Sequence, residues 1–273
     1  MARVRVETVL TTTQPVRAYG GIRLGHKILA DLAEGALSGA IPLTWNHDRR
    51  LPMNATVVDA GVRGRPDGFS EAWATLDVDE DEWSAFETSR AQLGAPGGMS
   101  FTMVTRSEEI RGPAPAMTTE WLSIAGDAAH FEDDVVYESA VLLGRLGRIS
   151  PGRLYQFAQE PAARVLLEFV VTMFQAVPPS LLANYLYDGL RPFLRVPSRM
   201  GRTTTFEFVV SETSRSRRIE SHLETSSEAV AREAISAFID LAGRPGRFEY
   251  VEGAGWRELP SVDSDGPTPG VGA

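Results

Sequence analysis

Two apolar runs, Met53 to Val62 and Phe69 to Val78, flank Arg63-Gly64-Arg65-Pro66-Asp67-Gly68, and this arrangement constrains the fold more than any other feature of the 273-residue chain. Proline presets a turn torsion, aspartate bonds its own backbone and glycine accepts left-handed geometry, so Pro66-Asp67-Gly68 predicts the turn of a β-hairpin. Ala2 to Leu10 adds a strand, because Val4, Val6, Thr8 and Leu10 alternate with Arg3, Arg5, Glu7 and Val9 at a period of two. Tyr19-Gly20-Gly21-Ile22 breaks the pattern with a turn. His26 to Leu37 then places Ile28, Leu29, Leu32 and Leu37 at helical spacing and ends at Gly39. A second helix opens on Asp79-Glu80-Asp81-Glu82, where the backbone dipole favours carboxylates, and Trp83, Phe86 and Leu93 supply its buried stripe.

Further strands are predicted at Met99 to Arg106, Thr118 to Ile124 and Asp134 to Leu143, with a loose Arg111 to Pro115 segment between the first two. Short strands joined by turns, with two helices, predict an α+β fold: a small, mostly antiparallel barrel over residues 1–150 with flanking helices. Residues 151–198 read as a helical segment. Ala162 to Val177 is apolar on nearly every face, yet Arg164 and Glu168 interrupt it and Pro178-Pro179 closes it short of the ~20 residues a bilayer needs. The expectation is a buried or homodimer-forming helix, with Leu181 to Leu194 as a second helix packed on it. Residues 199–260 read as a ββαββ module: strands Thr203 to Val210 and Arg218 to Leu223, a helix from the capping box Thr225-Ser226-Ser227-Glu228 to Ala242, and a hairpin of Phe248 to Val251 with Trp256 to Leu259. The Pro/Gly/Ser/Asp-rich residues 261–273 read as a disordered tail.

A formal charge of −9 and a single lysine, Lys27, leave no extended basic surface, so nucleic acid is not an expected partner. The chain has no cysteine, which removes disulfides, thiolate chemistry and cysteine-ligated zinc. No cofactor, metal or membrane is expected. Without a basic leader and apolar run, the N-terminus reads as mature cytoplasmic sequence.

The candidate chemistry lies in Ile41-Pro42-Leu43-Thr44-Trp45-Asn46-His47-Asp48 and Gly97-Gly98-Met99-Ser100-Phe101-Thr102-Met103-Val104. A serine hydroxyl attacks a carbonyl only when a base takes its proton, and an imidazole titrating near neutrality is suited to do so. His47 shares a strand side with apolar Trp45, and Ser100 has the small neighbours Gly98 and Thr102 on its own side. A third group must orient the imidazole, and Asp48 is poorly placed because adjacent strand residues point to opposite faces.

These motifs, in this order, resemble the prohead maturation proteases of tailed phages, distant relatives of the herpesvirus assemblins. The resemblance covers roughly residues 18–145: a short helix and small-residue turn, the strand ending in Asn46-His47-Asp48, the strand from Leu51, an acidic strand and helix, and Gly98-Met99-Ser100. Thr102 and Met103 replace the small residue and phenylalanine that usually follow the serine. The likeness implies a serine endopeptidase that cuts capsid or scaffold protein, and often itself, in host cytoplasm or an assembling procapsid.

Under that likeness Ser100 is the nucleophile and His47 the general base. Glu138, in Val136-Tyr137-Glu138-Ser139-Ala140-Val141, is the preferred orienting residue, since a carboxylate among apolar strand neighbours needs a cationic partner. His130, beside the acidic Phe131 to Asp134 turn and expected to be exposed, is the alternative and would give a Ser-His-His set. Gly144-Arg145-Leu146-Gly147-Arg148 reads equally as an oxyanion hole formed around Arg145 and Leu146 or as a basic turn. The competing reading of the whole chain is a catalytically inactive barrel serving as a binding or assembly module, and an esterase on the same residues is a further one.

Overall fold

The computed structural model describes residues 2–39, 44–45, 48–52, 55–92, 99–100, 102–109, 116–156, 162–199, 203–212, 218–241 and 243–259. Its chain divides into an N-terminal unit (residues 1–14, 23–101 and 260–273) and a C-terminal unit (residues 15–22 and 102–259). The divisions expected from the sequence fall at residues 150, 198 and 260.

In the N-terminal unit, β1 (Arg3–Thr12), β4 (Thr56–Gly64) and β5 (Ser70–Asp79) form an antiparallel sheet in the order β1-β5-β4. The β4–β5 turn is the one foreseen: Gly68 has φ +82° and donates its N–H to the Arg65 carbonyl, while Asp67 accepts the Phe69 N–H. Alternation along β5 buries Ala72, Ala74, Leu76 and Val78, and α1 (His26–Leu37) buries Leu29, Ala33 and Ala36 while packing on β4 and β5. The acidic run opens α2 (Glu80–Gln92), with Asp79 Oδ1 accepting the first-turn amides of Asp81 and Glu82. A second small sheet has the order β3-β2-β6 and is formed by β2 (Thr44–Trp45), β3 (Asp48–Pro52) and β6 (Met99–Ser100).

The C-terminal unit is built on an eight-stranded mixed sheet. Its elements are β7 (Thr102–Arg106), β8 (Trp121–Asp127), α3 (Asp133–Leu143), β9 (Arg148–Gln156), β10 (Arg164–Val170), α4 (Thr172–Ala176), α5 (Pro179–Arg199), β11 (Thr204–Ser211), β12 (Arg218–Thr225), α6 (Glu228–Phe238), β13 (Gly246–Val251) and β14 (Gly255–Glu258). The strand order is β14-β13-β12-β11-β10-β8-β9-β7. Three parallel pairs, β8/β9, β10/β11 and β12/β13, are each connected through helix, the arrangement that a parallel crossover requires. The helices share one continuous core with the sheet, in which Leu143, Leu186, Phe193 and Phe238 meet Ile124, Phe169, Phe206 and Phe208. Gly189 of α5 leaves no room for a side chain against Leu143 of α3, and Ser139 donates its hydroxyl to the Gly189 carbonyl at the same crossing.

Two sequence expectations are corrected here. Asp134 to Leu143 is helix α3 rather than a strand: its buried residues Val136, Ser139, Ala140 and Leu143 recur at helical spacing, and acidic Asp133 and Asp134 occupy the first turn. Ala162 to Val177 is strand β10 followed by short α4, rather than one helix. An interior strand is buried on both faces and therefore reads as an unbroken apolar run, so the expected dimer helix is absent. The strand foreseen at Met99 to Arg106 divides into β6 and β7, which serve different sheets. The β11-β12-α6-β13-β14 order matches the ββαββ reading, but parallel pairing of β10 with β11 makes it part of the larger sheet. The helix cap is Ser227, whose hydroxyl accepts the Val230 N–H, two residues inside the Thr225 anticipated.

The chain is thus a mixed α+β protein. Its described strands form three separate sheets, with no closed barrel among them. Among the described residues no helix is long and apolar enough to cross a membrane.

Candidate active site

Ser100 is the last residue of β6, and backbone pairing sets it opposite Thr44 while Met99 faces Trp45. Trp45 also pairs with Asp48 of β3, so Asn46 and His47 are the two residues between paired positions of the β2–β3 hairpin. The strand that carries the candidate nucleophile therefore runs beside the strand leading directly to the candidate base. His47 itself, the side chain of Ser100, Arg111 to Pro115 and residues 261–273 lie outside the described residues.

The other site residues fall in the C-terminal unit. Glu138 is on the solvent side of α3, with its side chain 56% exposed and its carboxylate 3.9 Å from Arg195. The sequence argument that it sits on an apolar strand face and needs an imidazolium partner fails, because helical geometry turns it to water and an arginine already faces it.

His130 is the opposite case. Expected to be exposed, its side chain is only 9% exposed, and its Nδ1 lies 2.9 Å from Asp127 Oδ1. Asp127 ends β8 and is wholly buried; the Ala129 N–H also donates to Oδ1, and the Tyr19 hydroxyl (2.7 Å) and Gln156 side-chain amide (2.8 Å) donate to Oδ2. Such a carboxylate fixes the imidazole orientation, leaving Nε2 as the acceptor when the ring is neutral. Burial, followed by the nearby Asp127 charge, pushes the Tyr19 phenol well above its ordinary range, against a lowering by the Gln156 amide that donates to it. Asp133, the first residue of α3, is held below the usual carboxylate range by its hydrogen bond to Arg153.

Gly144 to Arg148 is the turn from α3 into β9. Three of its amides are engaged: Gly144 donates to Ala140, Leu146 to Leu143 at 2.8 Å, and Arg148 to Glu120 at 2.9 Å. Leu146 is fully buried, and the Arg145 guanidinium lies over the Tyr185 ring at 5.8 Å. The Leu146 amide is therefore not free to meet an oxyanion.

One contact was not anticipated. His26, the first residue of α1, places Nε2 2.9 Å from the hydroxyl of Ser70, the first residue of β5. The only sequence signal was the position of each at an element's start, which gives no hint that the hairpin brings them together. Tyr19 was likewise read only as part of a Gly-rich break. Among the described residues no group of three or more His, Asp or Glu is arranged to hold a metal ion.

Comparison of the chain with family models, curated proteins and solved structures gives no significant match in any of the three.

Proposed function

We propose that the chain is a serine endopeptidase of the prohead maturation type, with Ser100 as nucleophile and His47 as general base. The observation that carries this reading is the pairing of Thr44 with Ser100, which sets the two motifs on neighbouring strands of one unit. Two residues, Trp45 and Asn46, separate Thr44 from His47 in the sequence, so the motif of the candidate base continues directly from the strand paired with Ser100. In the reaction His47 takes the Ser100 proton as the hydroxyl attacks the scissile carbonyl, then returns it to the leaving amine. The small barrel implied by the likeness would unite the two three-stranded sheets of the N-terminal unit, and the contact between β1 and β6 supports that assembly.

The substrate class in this reading is a capsid or scaffold protein, including the chain itself. The reading names no third residue, since Glu138 is committed to solvent and Arg195. A second reading, an inactive assembly module, draws support from the Gly144 to Arg148 turn, where the Leu146 amide already donates to the Leu143 carbonyl. A serine-directed fluorophosphonate, with the adduct mapped by mass spectrometry, separates the two: the folded enzyme carries an adduct on the Ser100 peptide that is lost in Ser100→Ala and in His47→Ala, whereas the inactive module carries none on that peptide.

A further inference from the structure

We propose that Ser70 and His26 form a second nucleophile–base pair in the N-terminal unit, one that acts on small activated esters independently of Ser100. The two atoms that would exchange the proton already stand in contact, with Ser70 Oγ 2.9 Å from His26 Nε2. When the ring carries its proton on Nδ1, the hydroxyl donates to Nε2, which is the geometry general-base activation of a serine requires. Ser70 is held firmly from behind: its N–H donates to the Thr13 hydroxyl at 2.9 Å, and its carbonyl accepts the Thr13 N–H at 2.8 Å. Fixed backbone of this kind preorganises a hydroxyl for attack.

The surroundings permit approach. His26 is exposed, and Ser70 is 8% exposed. Side chains added at Gly25 or Gly68, the glycines nearest the pair in sequence, would meet nothing within 4 Å, so there is open space beside His26 and two residues before Ser70. Gly25 caps α1 without a side-chain hydrogen bond, which leaves first-turn amides of this 12-residue helix beside His26 for charge that develops on an ester oxygen. Arg23 stacks over the Phe69 ring at 5.8 Å and adds positive charge next to Ser70.

The chemistry balances without a cofactor. Ser70 Oγ forms a bond to the carbonyl carbon as His26 Nε2 takes its proton; the carbon–alkoxide bond then breaks and the leaving alcohol takes that proton. Water, deprotonated by the same nitrogen, attacks the acyl-serine and releases the carboxylic acid, returning the proton to Ser70. Open space beside His26 and a single exposed imidazole suit a small ester rather than an extended polypeptide.

The test uses the full chain carrying Ser100→Ala, treated with p-nitrophenyl acetate. The expected result is a persisting burst of nitrophenolate and an acetyl group mapped by mass spectrometry to Ser70. The His26→Gln substitution at this exposed helix start keeps a hydrogen-bonding side chain but removes the base; it is expected to lower the acetylation rate about a hundredfold with an unchanged melting curve. Acetylation no faster than in the urea-unfolded chain, acetyl groups only at other residues, or an unchanged rate in His26→Gln would each overturn the proposal. Phosphonate labelling of Ser100 in the unsubstituted chain is a separate readout, so failure of one serine leaves the other's result intact.

Discussion

The Tyr19 hydroxyl donates to Asp127 at 2.7 Å and accepts the backbone N–H of Gln156 at 2.6 Å, joining the segment between β1 and α1 to the ends of β8 and β9. Asp127 is wholly buried and receives hydrogen bonds from four groups, so its charge is matched without an ionic partner being required.

Removing the hydroxyl therefore leaves a buried carboxylate and a buried amide each short of a partner. Tyr19→Phe is expected to lower unfolding free energy by about 1–3 kcal/mol at neutral pH, measured by urea titration. The pH dependence has a definite sign. The phenol's pKa is raised in the fold, so its contribution is whole below the unfolded value of about 10 and is lost as pH climbs above it. Melting temperatures should fall more steeply above about pH 10 in the wild type than in Tyr19→Phe. Parallel curves would show that the phenol is not held protonated.

Arg164 and Glu207 form a buried pair on β10 and β11, with side chains 7% and 4% exposed and a separation of 2.8 Å. Breaking it from one side strands a charge. Arg164→Met is expected to cost about 3–5 kcal/mol, and the double change Arg164→Met with Glu207→Leu to recover most of that loss. Additive losses in the double-mutant cycle would mean the pair is uncoupled.

Glu138 is predicted to be dispensable. An exposed carboxylate 3.9 Å from Arg195 contributes little, so Glu138→Ala should change stability by less than about 0.5 kcal/mol and leave the rate of phosphonate labelling unaltered. A loss of labelling with stability intact would restore it as an orienting residue.

Local chemistry made much of this fold legible. The Pro66-Asp67-Gly68 turn, the His26 to Leu37 helix, the acidic start of α2 and the β13–β14 hairpin all follow from signals contained within a few residues. The misreadings arose where tertiary burial decided the matter. Val136, Glu138, Ala140 and Leu142 alternate by coincidence inside a helix, and β10 looks like a buried helix because sheet neighbours cover both sides of it. For the candidate site, the nearness of the Thr44 and Ser100 strands fits the motif order, whereas Asp127 holding His130 and Ser70 touching His26 depend on chain crossings that no short pattern encodes.

The account stands or falls on which serine the folded protein activates. The direct measurement is mass-spectrometric mapping of the adduct left by a fluorophosphonate on freshly folded chain, beside the same chain carrying His47→Ala. The proteolytic reading predicts a stoichiometric adduct on Ser100 that disappears when His47 is replaced while the melting curve is unchanged. An unmodified Ser100 peptide from folded, monodisperse protein would contradict it.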